Sequence, residues 1–144
     1  MRYGIDTDFL VAVEITDHPF HSSADALLQR LLDEGHDFAL APQTLTKFIH
    51  VVTDSRRMPQ PLRTVDAVAR AEHWWQSAEI VHVFPDAQSV VYFVDWLRRH
   101  QLGRKRLLDT LLAATFRTAG VLAIITNNGR DFAMLGGFLI VEYR

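Results

Sequence analysis

Short apolar runs alternate along this chain with longer stretches whose apolar residues recur at helical spacing, and this alternation restricts the fold more than any other feature. Arg2–Ile5 predicts a first strand; Asp37–Leu40, Glu79–Phe84, Leu122–Thr126 and Phe138–Val141 predict the others. Between them, Phe9–Val13 reads as a helical turn, and Ala24, Leu27, Leu28, Leu31 and Leu32 share a helix face closed by Gly35. Pro42 opens a helix whose stripe is Leu45, Phe48, Ile49 and Val52. After a proline-interrupted loop at Arg56–Pro61, a helix starts at Arg63 or Thr64 and runs through Trp74 and Trp75. Pro85-Asp86 opens another, through Trp96 and Leu97 to about His100, and Leu107, Leu108, Leu111, Leu112, Thr115 and Phe116 form the next helical face. Strands alternating with helices predict an α/β fold with a parallel sheet covered on both faces.

Composition narrows the function. At 144 residues and 49% hydrophobic, the chain is long enough for one domain with a real core, and residues 1–144 are expected to form it. The absence of cysteine removes disulfides, thiolate nucleophiles and Cys-based zinc sites. A formal charge of −2 excludes a generally basic nucleic-acid coat, so any contact with RNA must use a local patch. The apolar run before Asp6 is too short for a secretory signal, and no run reaches the roughly 20 residues of a membrane span. A soluble, cytoplasmic protein is the expectation.

Ligands of open parallel sheets bind beyond the carboxyl ends of the strands, where strand order reverses. Asp6 and Thr126 both lie at such predicted ends. Asp8 follows Asp6 by two residues, Asp109 lies in the first turn of its helix, and Asp131 follows Thr126 after a short turn with Asn128 and Gly129. Alone, each acid is explained by a turn or a helix start. Brought together they repel one another unless a cation sits among them, and Mg²⁺ or Mn²⁺ suits such oxygen donors. No glycine-rich phosphate loop, G-x-S-x-G or H-E-x-x-H pattern competes with this reading, and a flavodoxin-like nucleotide site lacks its loop after the first strand.

At these residues the sequence resembles the PIN-domain ribonucleases, specifically the VapC-type toxins of type II toxin–antitoxin systems. The resemblance rests on four ordered segments that span essentially the whole chain. They are Tyr3-Gly4-Ile5-Asp6-Thr7-Asp8-Phe9-Leu10, Pro42-Gln43-Thr44-Leu45-Thr46-Lys47-Phe48 with Val51-Val52-Thr53, Leu108-Asp109-Thr110-Leu111-Leu112-Ala113-Ala114-Thr115, and Thr126-Asn127-Asn128-Gly129-Arg130-Asp131-Phe132. It implies a three-layer α/β/α sandwich with a five-stranded parallel sheet. It also implies Mg²⁺- or Mn²⁺-dependent cleavage of RNA, frequently tRNA or rRNA, homodimerisation, and neutralisation by a cognate VapB-type antitoxin. Carried over, Asp6, Asp109 and Asp131 match the family's catalytic and metal-holding acids. Asp8 and Asn128 match positions that often hold polar site residues, and Thr126 the Thr or Ser that ends the fourth strand; these three and Lys47 are expected to position substrate or water.

Lys47 departs from the family, which usually has Glu here; Asp54, two helical turns on, is too far to replace it. An ammonium beside a proposed cation site competes with the metal and can pair with Asp6 or Asp109. This supports a second reading: a catalytically impaired PIN-fold module that dimerises and binds antitoxin or RNA without cleavage. Arg104-Lys105-Arg106 is a candidate for RNA phosphates or an acidic antitoxin segment, balanced against a solvated loop. Arg56 and Arg57 in the loop could touch RNA, with a surface role favoured, and His18 and His21, separated by a proline, read as surface residues. Trp74 and Trp75 cannot share a helix face, so one belongs to the core and the other to an interface.

Overall fold

The structure is a computed structural model that describes residues 1–144. The five expected strands form β1 (Arg2–Ile5), β2 (Asp37–Leu40), β3 (Ile80–His82), β4 (Ala123–Ile125) and β5 (Leu139–Val141). All neighbours are parallel, in the order β3-β2-β1-β4-β5. The helices are α1 (Thr7–Glu14), α2 (His21–Asp33), α3 (Pro42–Val52), α4 (Thr64–Gln76), α5 (Ala87–Arg99), α6 (Leu107–Thr118) and α7 (Gly129–Ala133), with a 3₁₀ turn at Arg104–Arg106. Gly35 closes α2 at φ +81°, and Pro42 occupies the first turn of α3, as their positions in the sequence predict.

Alternate residues of each strand face opposite sides of the sheet, and the core divides accordingly. Ile5, Phe38, Leu40 and Ile125 pack under α1–α4, with Phe9, Leu31, Phe48 and Trp74. Ala39, Ile124, Leu112, Phe116 and Phe132 pack with Trp96 on the other face, under α5–α7. The two faces and their helices are the three-layer sandwich expected of a PIN-like fold. The inner strands β1, β2 and β4 end in buried residues, and the polar residues that directly follow β1 and β4 sit on the rim of the sheet.

Gly4 marks the tightest approach between sheet and helix. A Cβ at this position would stand 2.8 Å from the ring of Phe116, which is fully buried. Gly4→Ala is expected to cost about 1–3 kcal/mol through overpacking, visible as a lower denaturation midpoint with an unchanged m-value. A midpoint within error of the parent would mean that α6 is free to move off β1.

The chain builds β1, β2 and β3 in one direction and then crosses back to place β4 on the other side of β1. The order therefore reverses between β1 and β4, whose last residues, Ile5 and Ile125, are register partners. The rim above this pair is where an open α/β sheet binds its ligands.

Candidate active site

Asp6 and Thr126 are the residues that follow Ile5 and Ile125, so strand pairing alone sets them side by side. The ladder continues one step past the strand ends, with the Asp6 N–H donating to Ile125 O at 3.4 Å. Asp6 also caps α1, its Oδ1 accepting from the Thr7 N–H at 2.8 Å. Its Oδ2 accepts from the Thr126 hydroxyl at 2.9 Å. Asp8, in the first turn of α1, turns back to the same place, with Oδ2 accepting from the Asn127 N–H at 3.0 Å and lying 3.2 Å from Thr126 Oγ1. The hydroxyl has one proton for two carboxylates, and the shorter bond goes to Asp6. Thr126 Oγ1 also accepts from the Asn128 N–H at 2.9 Å, which fixes the loop leading to α7.

Burial, then the charges of Asp8 and Asp109, push Asp6 up to about 7, against the opposing bonds from Thr126 and Thr7. Burial also raises Asp8, and its Oδ1 is buried without a hydrogen-bond partner. Tyr143, buried just past β5, closes the site from behind. Its hydroxyl is held protonated well above the ordinary range by burial and by the charges of Asp8 and Asp6. Phe9 packs against it at 5.3 Å between ring centroids.

Asp109 enters from the first turn of α6 and Lys47 from α3. Lys47 Nζ stands 3.6 Å from Asp109 Oδ1, close enough for an ion pair and too far for a good hydrogen bond. Asp109 Oδ2 lies 3.4 Å from Asn128 Nδ2, which also donates to Asp131 Oδ2 at 2.9 Å. Asp131 is further paired with Arg106 at 2.8 Å. Arg106 is thus neither a free phosphate contact nor a solvated loop residue; it neutralises a carboxylate of the site.

Asp6, Asp8, Lys47, Asp109 and Asn128 line one cavity of about 330 Å³, whereas Asp131 lines a neighbouring one with Asn127, Asn128 and Arg130. His18 and Arg57 belong to the wall of the first cavity, so His18 is more than a surface residue and Arg57, though exposed, stands at the site. His18 Nδ1 accepts from the Phe20 N–H at 3.0 Å, so in the neutral ring the proton resides on Nε2. His21 likewise is not simply solvated, its Nδ1 lying 2.9 Å from Ala12 O. Of the adjacent pair, Trp74 is the core residue and Trp75 stacks on His82 at 3.7 Å.

No three of these carboxylates and imidazoles stand as a ready-made cage for a metal ion. The donors nevertheless suit one chemically. Asp6, Asp8 and Asp109 offer hard oxygens to a single cavity, and one of these oxygens is buried and unpartnered. Burial and the neighbouring charges of Asp8 and Asp109 raise Asp6, a repulsion that a cation among them would relieve.

The sequence matches no protein-family model and no curated protein. Solved structures match throughout. A chain of the VapBC2 complex of Rickettsia felis, bound to a DNA fragment from its promoter, superposes with a TM-score of 0.71 at 17% identity, covering 100% of both chains. A VapC toxin of Mycobacterium tuberculosis that cleaves the sarcin–ricin loop gives 0.70 at 22% identity, over 94% of this chain and 95% of that one. A chain of DNA-bound VapBC from Salmonella typhimurium gives 0.69 at 17% identity, over 100% and 99%. The resemblance carried by the four motifs therefore extends to the whole fold, which is shared with PIN-domain toxins.

Proposed function

We propose that residues 1–144 form a single PIN domain acting as a divalent-metal-dependent endoribonuclease toxin, neutralised by a VapB-type antitoxin. The observation that carries this reading is the meeting of Asp6, Asp8 and Asp109 in one cavity at the point where strand order reverses. Such a constellation is costly without a cation and suited to phosphodiester chemistry with one. Homodimerisation, the choice of tRNA or rRNA, and the antitoxin are proposed from the shared fold.

Asp6, Asp8 and Asp109 are the residues proposed to hold Mg²⁺ or Mn²⁺; Asp131 reaches that role only on release from Arg106. A metal so held supplies Lewis acidity toward the phosphodiester. The chain's own groups do the rest. Thr126 fixes the rotamers of Asp6 and Asp8, and Asn128 ties Asp109 to Asp131. Lys47 places an ammonium at the cavity wall, where a phosphate oxygen can accept from it.

The Lys47–Asp109 and Arg106–Asp131 pairs favour a second reading, a PIN-fold module that binds antitoxin or RNA without cutting. Both readings are separated by calorimetric titration with Mn²⁺, followed by incubation with total tRNA and rRNA in Mn²⁺ or in EDTA. The nuclease reading expects saturable binding below millimolar metal and fragments that EDTA suppresses. Absence of binding at millimolar Mn²⁺ would remove it.

A further inference from the structure

A cavity lined only by carboxylates would repel the polyanion it is proposed to cut. Lys47 and Arg57 line the same cavity as Asp6, Asp8 and Asp109, so cations and acids share one cavity. Resting on the ribonuclease reading, we infer that Arg57 is an RNA-binding residue that holds a backbone phosphate at this cavity, and that Asp54 is its positioning residue.

The local structure supports this assignment. α3 ends at Val52, and the chain immediately folds back on Asp54. The N–H groups of Arg57 and Met58 donate to Asp54 O at 3.1 and 2.9 Å. The Asp54 side chain, only 12% exposed, accepts from the Arg56 N–H at 2.9 Å and from Arg56 Nε at 3.3 Å. Arg57 Nε lies 3.8 Å from Asp54 Oδ2, an ion pair too long for a hydrogen bond, so the donors of its guanidinium remain available. One carboxylate thus ties the turn together and leaves Arg57 at the cavity wall. Arg56 is different: it spends its contacts on Asp54 and does not line the cavity.

The geometry also explains why the turn is attached to α3. The helix carries Lys47 and Val51 on the cavity side, and Arg57 and Met58 extend the same wall beyond its end. Lys47 faces Asp109, close to the carboxylates, while Arg57 extends the positive border. An RNA strand entering the cavity can therefore keep one phosphate near the acids and a neighbouring one on Arg57. A planar guanidinium with free donors suits such a phosphate better than an ammonium does.

The test uses a fluorescein-labelled, mixed-sequence single-stranded RNA oligonucleotide in EDTA, with affinity followed from 50 to 300 mM salt. Arg57→Gln is expected to weaken binding by about tenfold and to reduce the magnitude of the salt slope by about 0.7, the signature of one lost phosphate contact on a single strand. Arg57→Lys keeps the slope and loses part of the affinity. Arg30→Gln, a control on the exposed face of α2 where Arg30 pairs with Glu34, leaves both unchanged. An unchanged slope in Arg57→Gln overturns the inference, as does an equal loss in Arg30→Gln, and both leave the ribonuclease reading intact. If the parent chain itself shows no salt-dependent RNA binding, the RNA reading fails and takes the inference with it. Should Arg57→Gln fail to fold, Asp54→Asn is the second variant. It keeps the charge of Arg57, and an affinity equal to the parent's would overturn the positioning role.

Discussion

Asp6→Asn is expected to abolish RNA cleavage and, in the same protein, to raise the melting temperature at pH 8 by several degrees. The two effects share one cause. Asp6 is 4% exposed, and burial together with Asp8 and Asp109 holds it up to about 7. Its pKa in the fold lies above the unfolded value, so the folded state binds the proton more tightly. Below about pH 4 both states are protonated and no cost arises. As the pH rises toward 7 the unfolded chain ionises first, and stability falls; above 7 the full cost remains. A neutral amide removes it. The amide oxygen still accepts from the Thr7 N–H, and the amide N–H₂ can donate to Thr126 Oγ1, freeing the hydroxyl proton for Asp8.

Function responds in the opposite direction. The variant loses the innermost of the acids proposed to hold the metal, and cleavage should fall on the order of 10²–10³-fold or more. Thermal melts in EDTA from pH 4 to pH 8, alongside a cleavage assay, check both halves. The parent should lose stability across that window, and Asp6→Asn should lose less, the remainder coming from Asp8, which burial also raises. A lower melting temperature for the variant at pH 8 would show that Asp6 is a structural cap whose charge costs nothing.

The sequence makes the backbone of this site legible and leaves its electrostatics hidden. β4 is recognisable as a continuous apolar run buried on both faces, β1 is buried at Gly4 and Ile5, and Asp6 and Thr126 stand where these apolar residues stop. β3 is shorter than Glu79–Phe84 suggests, three residues at the sheet edge with only β2 as a partner. Asp8 looks like any acid entering a helix, yet it is bonded to Thr126 and Asn127 from 118 and 119 residues away. The same holds for Tyr143 and Arg106. Their roles come from packing between the last strand, α1 and α7, and no spacing announces it. Lys47 is the instructive exception. The motif around it fixes its place, and its pairing with Asp109 follows from charge.

Lys47→Glu is the variant expected to gain function. The exchange replaces an ammonium 3.6 Å from Asp109 Oδ1 with a carboxylate, changing the charge at the cavity wall by two units. Unit charges about 4 Å apart interact with about 4 kcal/mol near a protein surface, and solvent around the 40%-exposed Lys47 reduces this substantially. Even about 1.4 kcal/mol is tenfold in affinity. Mn²⁺ binding measured by calorimetry should therefore tighten at least about tenfold, and cleavage should rise with metal occupancy. The local structure is prepared for an acceptor at this position. The Thr44 hydroxyl, buried and without a hydrogen-bond partner, lines a small cavity of about 30 Å³ with Lys47, Asp6 and Asp109. Without metal, the additional acid should raise the repulsion on Asp6, so Lys47→Glu should melt lower than the parent in EDTA and recover when Mn²⁺ is added. That crossover separates the two functional readings. If the parent chain and the variant both cleave, Lys47 only moderates a working site. If the variant alone cleaves, the parent is a binding module whose catalytic power was lost at one residue. Metal binding no tighter than the parent's would sink the electrostatic argument and leave the Lys47–Asp109 pair a surface contact of little consequence.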